Sequence, residues 1–286
     1  MSKKNIKIGG VPEHFNLPWH LLIEDKPVSL QKVNLEWKDF KGGTGAMCKA
    51  LRTKEIDVAI ILTEGIIKDM LAGNPSRIVQ TYVQSPLLWG IHVDAKSEIK
   101  TVNDLKQKSA AISRYGSGSY LMAYVLASQQ NWDLDSLEFK VIKNLEGAVE
   151  ALTQKEADYF MWEHFTTKPL VDKGIFRRIG DCPTPWPCFV IAVREEIITT
   201  HKSEIKVLLD ELNMVTSAFK KIENIETIIA NRYDQKEEDV KKWLNITKWS
   251  QSLLSPKEVE NVQNTLLKLR LIAQKLEYNK IIHTIS

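Results

Sequence analysis

One turn rich in glycine and serine has the composition of an anion-binding site. Residues 113–119 read SRYGSGS, which places three hydroxyl groups, two glycines and the fixed positive charge of Arg114 before an apolar helical stretch. The first backbone N–H groups of a helix have no intrahelical partner, and they attract a negatively charged group. A second interpretation stays open, in which the serines and glycines simply cap the helix and Arg114 lies on the surface.

A second glycine turn, residues 42–45 (GGTG), also opens a predicted helix. It matches neither G-x-G-x-x-G nor G-x-x-x-x-G-K-[ST], so it gives no indication of a dinucleotide or mononucleotide site. It is the weaker of the two anion-site candidates.

Two further segments carry side chains that could bind a ligand or exchange a proton. Residues 13–16 (EHFN) follow the first predicted strand, where an open α/β sheet places its ligand, and an unperturbed His14 would titrate near neutral pH. Trp162, Glu163 and His164 end a later strand and offer an aromatic face, a carboxylate and an imidazole. Each segment has an ordinary alternative, because polar residues are common in loops and a tryptophan at a strand end can pack on the core.

No catalytic constellation is recognisable in the chain. It contains no G-x-S-x-G, no H-E-x-x-H and no cysteine–histidine motif, so the sequence predicts no catalytic residue, no metal site and no cofactor. Cys182 and Cys188 are close enough in sequence for a local disulfide. Reduced, structural cysteines are the favoured interpretation, because three cysteines do not make a disulfide framework.

The elements that position these residues alternate between strands and helices. Residues 6–11 and 33–37 alternate apolar and polar side chains, as strands do, and residues 58–62 (VAIIL) form a continuous apolar run typical of a strand buried on both faces. Helical segments follow at 43–54 and 63–71. This strand–helix–strand–helix order predicts an α/β domain.

The same pattern starts again near residue 95, which indicates a second α/β domain. Strands are expected at 110–113, 139–142 and 157–162, with a helix through residue 129, and a further strand at 189–193. Everything beyond residue 201 is predicted to be helical. Ser255-Pro256-Lys257-Glu258 has the form of a capping box and marks the start of one of these helices.

Composition excludes several classes of function. The 39 basic and 36 acidic residues leave a formal charge of +3 without a basic stripe, which argues against a nucleic-acid partner. No window approaches the length of a membrane span, and the opening residues do not resemble a signal peptide. We therefore expect a monomer in the cytoplasm, or in the periplasm if a signal has been trimmed away.

The order of these motifs resembles a known family over nearly the whole chain. The motifs are residues 6–12 (IKIGGVP), 43–45 (GTG), 55–59 (EIDVA), 101–105 (TVNDL) and 111–119 (AISRYGSGS). In this order and spacing they resemble the type 2 periplasmic binding proteins, the substrate-binding proteins of ABC transporters. The most similar branch includes proteins that bind sulfonates and the pyrimidine precursor of thiamine.

The resemblance implies a two-lobed α/β fold in which each lobe is a mixed sheet flanked by helices, with a helical C-terminal extension. Domain 1 would comprise residues 1–92 and 191–286, and domain 2 would comprise residues 93–190. Hinge strands would lie near 88–93 and 189–193, and closure about them would enclose a ligand.

The resemblance also implies which residues contact the ligand. They come from the loop after the first strand, from the helix starts and from one strand end. Their identities are His14, Phe15, Asn16, Gly43, Thr44, Thr63, Glu64, Arg114, Ser117, Gly118, Ser119 and Trp162. The chain departs from the family in lacking an export signal, and CPTPWPC at 182–188 is only faintly similar to the cysteine-rich motif of the fungal thiamine-precursor enzymes.

Three hypotheses of function follow. The leading one is a binding protein for a small, anionic and partly planar molecule, with a transporter or another protein as its partner. The alternative is a cytosolic enzyme on the same fold, with lyase, dehydratase or thiamine-precursor chemistry and with Glu64, His14 or Glu163 as its acid or base. The third is a ligand sensor that acts through a partner protein.

Overall fold

The computed structural model describes residues 4–285 and divides into two units. Unit 1 consists of residues 1–85 and 186–286, and unit 2 consists of residues 86–185. Each unit contains its own sheet, and the chain crosses between the units twice. None of the helices within residues 4–285 is long and apolar enough to cross a bilayer.

The described residues form ten strands and twelve helices. The strands are β1 (Lys4–Gly10), β2 (Val33–Asp39), β3 (Val58–Leu62), β4 (Ser76–Val83), β5 (Leu88–Asp94), β6 (Ala110–Ile112), β7 (Phe139–Val141), β8 (Tyr159–Glu163), β9 (Phe176–Pro183) and β10 (Phe189–Arg194). The helices are α1 (Leu17–Asp25), α2 (Gly43–Arg52), α3 (Thr63–Leu71), α4 (Gly118–Gln129), α5 (Leu145–Thr153), α6 (Lys168–Asp172), α7 (Glu195–Thr200), α8 (Lys202–Ala218), α9 (Ile225–Tyr233), α10 (Glu237–Ile246), α11 (Pro256–Lys268) and α12 (Tyr278–Ile281).

The sheet of unit 1 is mixed, with strand order β2-β1-β3-β10-β4. Strand β1 runs parallel to β2 and to β3, whereas β10 is antiparallel to both β3 and β4. All five residues of β3 are buried, which explains why its sequence is continuously apolar rather than alternating. The predicted central strand is therefore confirmed.

The sheet of unit 2 repeats this plan with strand order β7-β6-β8-β5-β9. Strand β6 is parallel to β7 and β8, and β5 is antiparallel to β8 and β9. Its core contains Ala111 and Phe160 from the sheet and Ala148 and Leu152 from α5. Both units are thus mixed sheets flanked by helices, and the predicted fold class is confirmed.

Helix caps follow the sequence signals. The predicted capping box of α11 is present, because Ser255 Oγ accepts a hydrogen bond from the Glu258 N–H at 3.2 Å and the Glu258 carboxylate accepts one from the Ser255 N–H at 2.7 Å. Ser117 caps α4 by accepting a hydrogen bond from the Tyr120 N–H at 3.3 Å. The cap fixes where α4 begins, and with it the position of the serine-rich turn.

The predicted domain boundaries at 92/93 and 190/191 need correction. The division falls at 85/86 and 185/186, because β5 pairs with β8 and β9 inside the second sheet and β10 pairs with β3 and β4 inside the first. Residues 88–93 and 189–193, predicted as hinge strands, are therefore interior strands of the two sheets. The chain crosses between the units just before each of them.

Candidate ligand-binding site

The first group of predicted residues follows β1 in unit 1. His14, Phe15 and Asn16 form a short 3-10 turn ahead of α1, and all three are buried. The His14 ring stacks on Phe15 with centroids 4.9 Å apart and meets the edge of Trp243 at 4.4 Å. Tyr82 Oη holds the turn by donating a hydrogen bond to the Phe15 carbonyl at 2.7 Å. These residues lie in an aromatic environment rather than in a polar loop.

Burial changes the chemistry that His14 can perform. It lowers the pKa of His14 to about 3, because the charged imidazolium loses its hydration. His14 is therefore neutral near pH 7, and the expectation of a histidine that titrates there is wrong. A neutral imidazole can still take part in hydrogen bonds and ring stacking.

The starts of α2 and α3 lie against each other in unit 1. Gly43 has φ = +64°, a conformation that glycine adopts without strain, and α2 begins there. A Cβ at Gly65 would approach Thr44 Cγ2 to 2.3 Å, so the methyl group of Thr44 packs directly on the glycine of α3. The structure thus brings Gly43 and Thr44 together with Thr63 and Glu64.

Glu64 is the most unusual carboxylate of unit 1. It is 2% exposed, and its Oε2 accepts a hydrogen bond from Trp186 Nε1 at 2.7 Å. Burial raises the pKa of Glu64 to about 7, although hydrogen bonds from its own backbone and from Trp186 oppose the shift. Glu64 can therefore accept a hydrogen bond when ionised or donate one when protonated. Its neighbour Thr63 donates its hydroxyl hydrogen to the Pro187 carbonyl at 2.6 Å.

These two groups in unit 1 are connected through β10. Phe189 is paired with Leu62 at the end of β3, and its ring lies 5.2 Å from that of Phe15. Since β1 and β3 are parallel neighbours, the residues that follow them share one edge of the sheet. The seven predicted residues of unit 1 therefore occupy one region.

The predicted residues of unit 2 centre on the serine-rich turn before α4. Ser119 Oγ accepts a hydrogen bond from the Ser113 N–H at 3.0 Å and lies 3.0 Å from Ser117 Oγ. These bonds give the turn a defined geometry, while Arg114 is half-buried at its edge. The capping interpretation is confirmed by Ser117, and anion binding stays a prediction.

Trp162 and Glu163 have structural roles in unit 2. Trp162 is half-buried, stacks on Phe160 with centroids 5.5 Å apart and packs against the core of the unit. Glu163 is 4% exposed, and its Oε2 accepts hydrogen bonds from the backbone N–H groups of Phe165 and Thr166 at 2.9 and 2.7 Å. Burial raises the pKa of Glu163 and these bonds oppose the rise, so this carboxylate holds the turn after β8.

Sequence reasoning missed a polar cluster in the same unit. His164 Nδ1 lies 2.7 Å from Asp181 Oδ1, and His92 Nε2 lies 2.9 Å from Thr167 Oγ1. The four residues come from separate parts of the chain, so only the Trp162-Glu163-His164 run gave any signal. Within residues 4–285, no three His, Cys, Asp or Glu side chains are grouped as a metal site would need. The three cysteines are buried free thiols.

Sequence reasoning also missed residues of unit 1 that surround His14. Gln235 Nε2 lies 3.2 Å from His14 Nδ1, and Tyr233 and Trp243 present ring edges to the same imidazole. They belong to the helical segment more than two hundred residues further along the chain. No local pattern in the sequence connects the two segments.

The fold defined by these units is that of the type 2 periplasmic binding proteins. The structure of the CA3427 gene product of Candida albicans, described as having the generic periplasmic binding protein fold, matches with a TM-score of 0.89 and 26% identity over 98% of this chain and 96% of that chain. The alkanesulfonate-binding protein SsuA of Xanthomonas axonopodis pv. citri, bound to MOPS, matches with a TM-score of 0.84 and 16% identity over 99% of both chains.

Sequence comparison adds a narrower similarity. Residues 89–182 match the family described as Ca3427-like PBP, so the predicted resemblance is confirmed. PhnD1 of Prochlorococcus marinus, in complex with methylphosphonate, matches the structure with a TM-score of 0.64 and 13% identity over 94% of this chain and 99% of that chain. Comparison with proteins of curated function gives no sequence match.

Proposed function

We propose that the chain is a small-molecule binding protein and that an anionic group of its ligand binds at the start of α4. The single observation that carries this proposal is the turn of residues 113–119. It combines the positive charge of Arg114, two serine hydroxyls and the N-terminus of a twelve-residue helix in one place. A transporter is the partner that this class of protein implies.

The chemistry of the turn suits an anion in two ways. The leading N–H groups of α4, those of Gly118 and Ser119, precede the first intrahelical bond and carry the positive end of the helix dipole. The guanidinium of Arg114 adds a planar donor that fits sulfonate, phosphonate or carboxylate oxygens. The printed ligands of two structural neighbours, MOPS and methylphosphonate, are anions of this kind.

The proposal is tested by isothermal titration calorimetry with MOPS, methylphosphonate and short alkanesulfonates. Arg114→Gln should weaken the binding of any of these anions by about tenfold or more, because hydrogen bonds to charged groups are the strongest neutral-pH contacts of this type. The matched control is Lys106→Gln, an equal loss of charge at an exposed position of the same unit. Equal affinities of the two variants would contradict an anion site at the turn.

A second candidate is an enzyme on the same fold, and Glu64 is the observation that favours it. A carboxyl whose pKa lies at about 7 suits general acid–base catalysis near neutral pH. An enzyme should convert a molecule that co-purifies with it, detected by native mass spectrometry before and after incubation, and Glu64→Gln should stop the conversion. A co-purified molecule that stays unchanged would favour the binding protein.

A further inference from the structure

Four side chains of unit 1 form a buried group that the proposed anion site does not use. We name it the His14 cluster, and it consists of His14, Tyr233, Gln235 and Trp243. Gln235 Nε2 lies 3.2 Å from His14 Nδ1, Trp243 lies edge-on to the imidazole with centroids 4.4 Å apart, and Tyr233 does the same at 6.1 Å. The cluster joins the turn after β1 to the helices α9 and α10.

Three of these side chains have buried polar atoms with unused hydrogen-bonding capacity. Within residues 4–285, Tyr233 Oη, Gln235 Oε1 and Trp243 Nε1 have no hydrogen-bond partner. Leaving a buried donor or acceptor unsatisfied is costly, so such groups are rare and call for an explanation. Three of them around one histidine indicate a place where another molecule supplies the missing partners.

The three atoms specify what that molecule must offer. The indole N–H of Trp243 only donates, the amide oxygen of Gln235 only accepts, and the phenol of Tyr233 can do either. A group that presents a carbonyl beside an N–H, as a primary amide does, satisfies both the donor and the acceptor. The aromatic rings of His14, Tyr233 and Trp243 favour a flat molecule.

The cluster also carries no charge to pair with an ion. Burial lowers the pKa of His14 to about 3 and raises the pKa of Tyr233 to about 12, while Gln235 and Trp243 do not ionise. A carboxylate or an ammonium ion would therefore lose its hydration without gaining an opposite charge. The cluster differs in this respect from the turn that contains Arg114.

We propose that the His14 cluster binds a flat, uncharged, amide-bearing part of a ligand, with Gln235 and Trp243 as the residues that select it. This inference rests on the proposed function, since it assigns a second portion of the ligand to the same binding protein. The amide N–H donates to Gln235 Oε1, and the amide oxygen accepts from Trp243 Nε1. Tyr233 provides a third hydrogen bond or a ring edge.

A series of three isosteric probes tests the proposal. Benzamide carries the complete amide, N,N-dimethylbenzamide lacks its N–H groups, and benzoate replaces the amide by a charge. Ligand-observed NMR titration of the full chain should give millimolar binding of benzamide, with at least fivefold weaker binding of the other two probes. Benzoate that binds as tightly as benzamide would overturn the proposal.

Two variants locate the binding. Gln235→Met and Trp243→Phe keep the bulk of each side chain but remove the acceptor or the donor, and each should weaken benzamide binding at least fivefold. The control is Gln154→Met, which makes the same substitution at an exposed position of unit 2. Circular dichroism melting shows whether the variants fold, and benzamide affinity unchanged in both folded variants would overturn the proposal.

The outcomes separate this inference from the proposed function. Anion binding that is sensitive to Arg114→Gln, together with absence of benzamide binding, would overturn the inference and leave the proposed function intact. Absence of binding of both the anions and benzamide would contradict the two together.

Discussion

The two units share one sheet plan but present different chemistry. In each, three parallel strands are followed across the sheet by an antiparallel strand, which is β10 in unit 1 and β5 in unit 2, and that strand is the first one formed after the chain crosses. In unit 1 the candidate residues lie among aromatic rings, and His14 is neutral. In unit 2 they form a hydroxyl-rich turn with a half-buried arginine.

This difference shows how one architecture can bind two parts of a molecule. The sheet plan determines where loops and helix starts gather, and the side chains determine whether that place favours an ion or a neutral, flat group. Four predictions break or sharpen the contrast, beginning with the largest expected effect.

The largest effect is expected from the tryptophans. Trp243 is 1% exposed, so Trp243→Ala should reduce the free energy of unfolding by about 4 kcal/mol. Trp162 is half-buried, so Trp162→Ala should cost about half as much or less. Urea unfolding followed by circular dichroism measures both. Equal costs would remove the distinction between the buried aromatic group of unit 1 and the strand-end tryptophan of unit 2.

Glu64 should make unit 1 less stable as the pH rises. Burial raises the pKa of Glu64 from its usual 4.5 to about 7, so the folded state holds this proton more tightly than the unfolded state does. The contribution is complete below about pH 4.5 and is lost as the pH rises through about 7, by about 3 kcal/mol in all. Glu64→Gln should remove this part of the slope in urea unfolding measured from pH 4 to pH 8. A slope identical to that of the parent chain would show that Glu64 ionises normally.

The cap of α4 should have a moderate effect on unit 2. Ser117→Ala removes the acceptor of the Tyr120 N–H and should cost about 1 kcal/mol, whereas Ser117→Gly should cost only a few tenths of that. Thermal unfolding compares the two variants. A Ser117→Gly variant that keeps its stability but binds anions more weakly would assign the hydroxyl a role in binding. If the glycine variant is the less stable one, the capping account is wrong.

The smallest effect concerns Asp181, and its sign is opposite to that of Glu64. Burial works to raise the pKa of Asp181, but the hydrogen bond with His164 and the charge of Arg178 outweigh it, so the pKa is lowered. This stabilisation is present at neutral pH and is lost as the pH falls through the pKa of the folded state. Asp181→Asn should therefore cost less than about 1 kcal/mol at pH 7 and nothing in strong acid. A cost that grows on acidification would contradict the ion pair with His164.

The sequence predicted the fold well because the relevant signals are local. The continuous apolar run of β3, the capping box at Ser255 and the serine-rich turn before α4 each lie within a few residues. The domain boundaries were misplaced by several residues because strand pairing, which assigns β5 and β10 to their sheets, is not written in either strand.

The candidate site was predicted only in part. The turn of residues 113–119 was visible as a pattern, but the contact of His14 with Gln235 and Trp243 depends on the packing of helices far along the chain. The altered pKa of His14 follows from this packing, so the sequence alone gave an ordinary titrating histidine. Buried environments are a product of the fold, and residue types do not reveal them.

The most direct test of the central claim is an NMR titration of the 15N-labelled chain with methylphosphonate and with MOPS. Binding at the start of α4 should shift the backbone amide signals of Gly118 and Ser119 most strongly, in a saturable way, and the shifts should be weakened in Arg114→Gln. Saturable shifts confined to other residues, or no shift of these two amides up to millimolar anion, would contradict the anion site.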